Sequence, residues 1–415
     1  MSTRSIVQER RLKYAATIND EALGEETDAN YELQYVDIGN VDSSGTIHEI
    51  ATHRFADAPS RARRRVRDGD VIISCVRTYL QAISPIQDPP DNLIVSTGFA
   101  VVRPRRGVLD AAFAKYALRE SAFLAEVEMR SVGVSYPAIN ASDLGDIPVY
   151  LPPPKGQRAI ADYLDRETAR LDALVAAKER VLGLLAEKRR ALIMRVVTRG
   201  LDPRTPLRDS GIPWLGEIPA HWETERSRWL FRERDQRSET GEEELLTVSH
   251  LTGVTLRSEK DVNMFEAETT EGYKICLAGD LVINTLWAWM GAMGVSPVNG
   301  IVSPAYNVYH PGPRLEPSYV DALVRLPVFA QEVTRYSKGV WSSRLRLYPE
   351  GFFEVLLPVP PLIEQREIIA HIARETGKLD KLCRAIERTT ALLKERRSAL
   401  IGAAVMGQVP LPGAA

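Results

Sequence analysis

The chain contains one stretch twice, and that repeat limits its possible folds more than anything else. Sliding the sequence against itself by 208 positions lays residues 148–197 over 356–405 without a gap, and about 22 of those 50 positions are identical. One unit has been used two times. Each copy opens with a proline pair, Pro152-Pro153 and Pro360-Pro361, which cannot sit inside a helix but suits the residues just ahead of one. Beyond those prolines Leu, Ala, Glu, Lys and Arg dominate, all strong helix formers. Apolar residues then recur every seven positions: Leu164, Leu171, Leu185 and Leu192 in the first copy, and Ile372, Leu379, Ile386, Leu393 and Leu400 in the second. Only Lys178 interrupts the first row. A second row is expected at Leu174 with Val181 and at Leu382 with Thr389, completing a seam of the coiled-coil kind. A helix of about 42 residues would be roughly 60 Å long, and a stripe of that length needs a cover, which the other copy can supply.

Some 160 residues separate the two helices, enough for a whole domain. The spacing predicts four segments: a first globular domain at 1–154, a long helix at 155–200, a second domain at 201–360, and a closing helix with its tail at 361–415. The globular parts repeat more faintly. GDVIISCV (69–76) is matched by GDLVINTL (279–286), NLIVSTGFAVVRP (92–104) by NGIVSPAYNVYHP (299–311), and FLAEVEMRSVGV (123–134) by FAQEVTRYSKGV (329–340). The β-branched runs in these segments read as strands, and Asp110–Met129 reads as helix. The helices therefore do one job twice, while the domains share a scaffold and present different surfaces.

The net charge of −2 divides unevenly along the chain. The helices carry about +5 and +3 and the domains about −4 and −6, so any nucleic-acid contact by the domains must come from local patches. Three scattered cysteines, Cys75, Cys276 and Cys383, indicate neither a disulfide framework nor a zinc cluster, and the six histidines show no ligand spacing, so no metal is expected. With no apolar run of membrane-spanning length and no apolar middle to the N-terminus, a cytoplasmic protein without membrane contact is expected.

PPPKGQRAIADYLDRET (152–168), its partner PPLIEQREIIAHIARET (360–376) and SGIPWLGEIPAHWE (210–223) resemble segments of the specificity subunits of type I restriction-modification systems, over nearly the full length. The first copy departs at Lys155-Gly156, where the family has an acidic residue before the Gln, as at Glu364, and the N-terminus lacks a Pro-Trp opening segment. The resemblance implies an α+β fold, with two mixed α/β target-recognition domains separated by two long helices packed as an antiparallel coiled coil, in a pseudo-two-fold internal duplication. It implies that each domain reads one half of a split target in double-stranded DNA, that the helices act as a ruler, and that the chain docks methyltransferase (modification) subunits and through them motor and nuclease (restriction) subunits. It implies no catalysis and no cofactor. Consistent with that, there is no phosphate-binding loop and no dinucleotide fingerprint, and Asp88-Pro89-Pro90-Asp91 lacks the aromatic residue that would stack a flipped base. The alternative is a coiled-coil scaffold that assembles partners without reading DNA.

Candidate DNA contacts in the first domain are the basic run Arg61, Arg63, Arg64, Arg65 and Arg67; Arg77 and Tyr79 after one strand; Arg103, Arg105 and Arg106 after the next; and Ser135 and Tyr136. In the second they are Lys338, Trp341, Ser342, Arg344 and Arg346, with WSSRLR (341–346) the foremost candidate. Trp287 and Trp289 are expected in the core, as large aromatics usually are. Arg189-Arg190 and Arg396-Arg397 are expected to solvate the rods, favour a helix C-terminus, or touch the DNA backbone.

Overall fold

A computed structural model describes residues 7–260, 269–339 and 345–409. The chain divides into two compact units, Met1–Arg180 with Glu387–Ala415, and Val181–Ile386. The unit boundaries fall inside the long helices, α5 (Pro154–Arg199) and α10 (Leu362–Val405), so each helix begins in one unit and ends in the other.

In unit 1 a four-stranded sheet has the order β2 (Ala16–Ile18), β9 (Phe99–Pro104), β6 (Val71–Ser74), β7 (Ile83–Pro85). A second has the order β4 (Ala51–Arg54), β3 (Glu32–Val36), β8 (Leu93–Ser96), β5 (Ala62–Arg65), with β3 and β8 parallel. β1 (Gln8–Arg11) pairs with β10 (Pro148–Leu151) just ahead of α5. α2 (Ala111–Ala117) and α3 (Ser121–Met129) pack on the first sheet, and the core they close includes Phe113, Ile160 and Leu164. Ile401, Ala404 and Val405 from the end of α10 complete that core.

Unit 2 repeats the plan. β14 (Phe231–Glu233), β21 (Tyr306–Pro311), β18 (Leu281–Asn284) and β19 (Met293–Val295) form the matching four-stranded sheet. β15 (Leu246–Ser249) with β16 (Gly253–Leu256), and β17 (Lys274–Cys276) with β20 (Gly300–Val302), match the second sheet in two pieces, linked by a parallel bridge from Leu245 to Ile301. β13 (Glu223–Arg226) pairs with β22 (Leu356–Val359) ahead of α10. The core here takes in Val196 and Val197 from the end of α5, and the buried Tyr319 hydroxyl donates to the Val197 carbonyl at 2.9 Å.

The glutamine of each repeated motif fastens helix to domain. The Gln157 amide donates to the carbonyls of Val108 and Pro152, both at 2.9 Å, and accepts from the Asp110 amide at 2.8 Å. Gln365 makes the same three bonds, to Arg314, Pro360 and Glu316, all at 2.8 Å. Both side chains are fully buried, so each satisfies groups that water cannot reach.

Within each unit the helix segments run antiparallel. Arg397 pairs with Asp172 at 2.8 Å and Lys394 with Glu179 at 3.1 Å in unit 1; Arg189 pairs with Asp380 at 2.7 Å in unit 2. Asp380 and Arg397 are the repeat counterparts of Asp172 and Arg189, so one ion pair is formed twice. Arg189 and Arg397 are thus engaged across the helix pair, and free rod-solvating or DNA-facing roles do not fit them.

Leu164, Leu171, Leu185, Leu192, Ile372, Leu379, Ile386, Leu393 and Leu400 lie on buried or half-buried faces. The second row departs from expectation. Leu174 and Leu382 are 44% and 47% exposed, and Val181 and Thr389 are exposed too. The covered row instead falls three residues before the first, at Ala161, Thr168, Val175, Leu182 and Arg189 on α5, and at Ile369, Thr376, Cys383, Thr390 and Arg397 on α10. Thr168 and Thr376 satisfy their hydroxyls on carbonyls four residues back, at 2.7 and 2.8 Å. Among the described residues no helix is long and apolar enough to cross a membrane.

Candidate nucleic-acid interface

Short connections between strands decide which candidate residues meet. In unit 1, Thr97-Gly98 joins β8 to β9; β6 ends with Ser74 opposite Phe99, and β5 begins with Ala62 opposite Ser96. The residues just after β6 and those just before β5 therefore share one end of the strands. Arg61 is there, exposed, with its carbonyl accepting from the Thr97 amide at 2.8 Å. So is a 3-10 turn, Thr78–Leu80, whose preceding residue Arg77 has φ +52°.

The segment carrying Ser135 and Tyr136 is tied to this turn. Val76 and Val132 both bridge to Ala138, and the hydroxyls of Thr78 and Ser131 lie 2.7 Å apart. Gly133 has φ +121°, and a Cβ there would come within 3.0 Å of the Tyr136 carbonyl oxygen, so the tight loop needs glycine. The Arg77 guanidinium sits 4.7 Å from the centre of the Tyr136 ring, a cation–π contact that holds the charge outward. Tyr79 is 51% exposed, Tyr136 60%, and Ser135 is exposed. Arg61 and Arg77 have no carboxylate partner among the described residues.

The remaining unit 1 candidates do not join them. Arg65, Arg67, Arg103, Arg105 and Arg106 lie at or beyond the opposite end of the strands. Arg103 donates to Asp70 at 2.9 and 2.8 Å and pairs with Glu21 at 3.3 Å. Asp70 is 1% exposed, so turning Arg103 to a ligand would strand a buried carboxylate, and Arg103 belongs to the frame. Arg67 is held by Glu21, its Nε 3.1 Å away. Arg63 lies over the Phe55 ring at 4.6 Å, and Arg64 is half-buried in the sheet.

Unit 2 builds the same end differently. β18 ends with Asn284 opposite Tyr306, and a 3-10 turn, Ala288–Met290, comes next. Lys338 and Arg346 face each other, exchanging backbone hydrogen bonds of 2.9 Å, and the Leu347 amide donates to Thr285 at 3.0 Å. Arg346 Nε also reaches the Thr285 hydroxyl, at 3.2 Å. Trp341, Ser342 and Arg344 lie outside the described residues. Trp287, expected in the core, is 51% exposed and stacks on half-buried Trp289 with ring centres 6.2 Å apart and planes at 18°. The buried places at this turn go to Thr285 and Ala288, which leaves an indole between them facing outward. Leu286 and Met290, also exposed here, were not among the sequence candidates, although aligning GDVIIS with GDLVIN pairs this turn with Arg77–Leu80.

Glu364 explains where the two copies of the motif part. Its Oε2 accepts from the Trp222 indole at 3.0 Å and lies 2.8 Å from His221 Nε2. It thereby fastens the 210–223 segment to the start of α10. Among the described residues of unit 1 no tryptophan stands there, and Gly156 occupies the place corresponding to Glu364.

No family model matches the chain. A chain from a solved type I R-M system, studied for its complex assembly and conformational transition, matches with a TM-score of 0.76 at 22% identity, covering 97% of this chain and 98% of that one. The crystal structure of the HsdS subunit from Thermoanaerobacter tengcongensis matches with a TM-score of 0.56, also at 22% identity, covering 97% of both. This chain has the specificity-subunit fold. In sequence, a Methanocaldococcus jannaschii protein assigned as the type I restriction enzyme MjaX specificity subunit is 23% identical over 167 residues. That match covers 39% of this chain and only 37% of the relative's length.

Proposed function

We propose that the chain is the DNA-reading specificity subunit of a type I restriction-modification complex, working in the cytoplasm and performing no catalysis itself. Each unit reads one half of a bipartite target through the strand end that carries its 3-10 turn, and the helix pair sets the spacer. The observation that carries this reading is the repetition of one strand order in the four-stranded sheets β2-β9-β6-β7 and β14-β21-β18-β19, with unlike side chains gathered at one equivalent end of each unit. Arg61, Arg77 and Lys338, without carboxylate partners among the described residues, suit phosphate or base contact there. Helix faces outside the seam, where Leu184 and Leu392 are exposed counterparts, suit docking of methyltransferase subunits, which in turn bring the motor and nuclease subunits.

Selection of bound duplexes from a random library by the full chain tests this. A split motif should emerge, over a background of weak non-specific affinity that falls with salt. Recovery of no DNA at low salt would leave only a scaffold role. Deleting seven residues from each helix in register removes about 10.5 Å of rise and should shorten the selected spacer by roughly three base pairs.

A further inference from the structure

The two 3-10 turns occupy equivalent positions in the repeat. Each comes after the central strand of its sheet by the same number of residues, and each closes on a residue with positive φ, Gln81 at +51° and Gly291 at +87°. In both, the first turn residue is buried, Thr78 in unit 1 and Ala288 in unit 2. The residue capping the turn is Arg77 in one unit and Trp287 in the other. One place in the repeat therefore presents two different chemistries, on backbones that also differ, Arg77 at φ +52° and Trp287 at φ −122°.

The guanidinium of Arg77 offers a planar fork of donors, and its stacking on Tyr136 limits the directions it can take. Trp287 offers the opposite. Its ring is backed by Trp289, whose own N–H is committed to the Leu286 carbonyl at 3.0 Å. Leu286 and Met290 are exposed beside it, so the tip is an apolar cap. Arg346 reaches the Thr285 hydroxyl two residues before Trp287, and Lys338 pairs with Arg346 through the backbone, so cations stand on the neighbouring segment and suit a polyanion more than an apolar protein partner. In the major groove the thymine C5-methyl is the apolar group on a base edge, whereas guanine presents two acceptors that a guanidinium bridges.

Resting on the proposed DNA-reading function, we infer that Arg77 and Trp287 are equivalent specificity-determining residues, Arg77 reading a guanine in one half-site and Trp287 covering a thymine methyl in the other.

The experiment starts from the duplex that the full chain selects. Each thymine is replaced in turn by deoxyuridine, which removes only the methyl, and each guanine by 7-deazaguanine, which removes only N7. One uracil, in one half-site, should weaken binding about three- to fivefold, as one uncovered methyl group implies. One deazaguanine, in the other half-site, should weaken it about tenfold or more. W287A should bind the thymine and uracil duplexes equally while keeping the deazaguanine effect; R77A should show the reverse. W287L, which keeps an apolar cap, should keep part of the methyl effect. Because both side chains are exposed, unchanged circular dichroism is expected for all three variants. If no duplex is selected, the DNA-reading function falls and this inference with it. If a duplex is selected but every uracil is tolerated, or W287A weakens all sequences alike, Trp287 does not read a methyl and the inference alone is overturned.

Discussion

The fastenings at the start of α5 and the start of α10 are almost the same object, whereas the turns after β6 and β18 share a place in the fold and little else, Arg77 standing at φ +52° where Trp287 stands at φ −122°. Gln157 and Gln365 make three corresponding bonds each, and Arg397–Asp172 repeats Arg189–Asp380. At the turns, one unit has a guanidinium on a tyrosine where the other has an indole pair. Sameness is kept where a side chain must meet a fixed partner on another element, and difference is tolerated where it meets only solvent in the free chain.

The sharpest way to break this comparison is inside the helices. Leu164→Ala should cost about 2–4 kcal/mol in urea unfolding followed by circular dichroism, since Leu164 is fully buried, while Leu174→Ala should change it by about 0.5 kcal/mol or less. Equal losses would return Leu174 to the seam. Q157A and Q365A should each lower stability by about 2–3 kcal/mol, because each orphans a buried amide and two carbonyls. All six tryptophans lie between residues 214 and 341, so their fluorescence should follow Q365A and miss the early loss in Q157A. Unequal losses would show that the two fastenings are not the same device.

Glu364→Ala should cost about 1–2 kcal/mol and shift the Trp222 emission, whereas Gly156→Glu, having no indole in unit 1 to hold, should leave tryptophan emission unchanged and gain only the roughly 0.5–1 kcal/mol of a better helix former in a first turn. The seam ion pairs should matter least. Asp172→Asn and Asp380→Asn should each cost about 0.2–1 kcal/mol, alike in both units, because the pairs are part-exposed. Burial pushes the Cys75 thiol up to about 11 and the Cys276 thiol up to about 12. A raised thiol stays neutral until the pH climbs through that value. Both should therefore react slowly with a disulfide reagent at pH 8, and fast labelling of Cys276 would mean that unit 2 opens.

The first seam row could be read from the sequence because leucine and isoleucine advertise it at seven-residue spacing. The second row was misplaced, because its members include Thr168, Thr376, Thr390 and two arginines, and polar residues give no periodic apolar signal. Arg103 and Arg77 looked alike in sequence, each a cation beside a strand. Only the fold shows that Arg103 is bound to Asp70, 33 residues away, and that Arg77 is bound to no carboxylate among the described residues.

The sequence by itself determined the duplication, the two long helices and the strands that each domain repeats, since identity at a fixed offset and period are properties of order along the chain. Tertiary structure decided which end of the strands gathers Arg61, Arg77 and Tyr136, which side of each helix is covered, and that Trp287 faces solvent. Those outcomes depend on which groups distant in sequence come within hydrogen-bonding or packing distance, and spacing along a chain does not encode that.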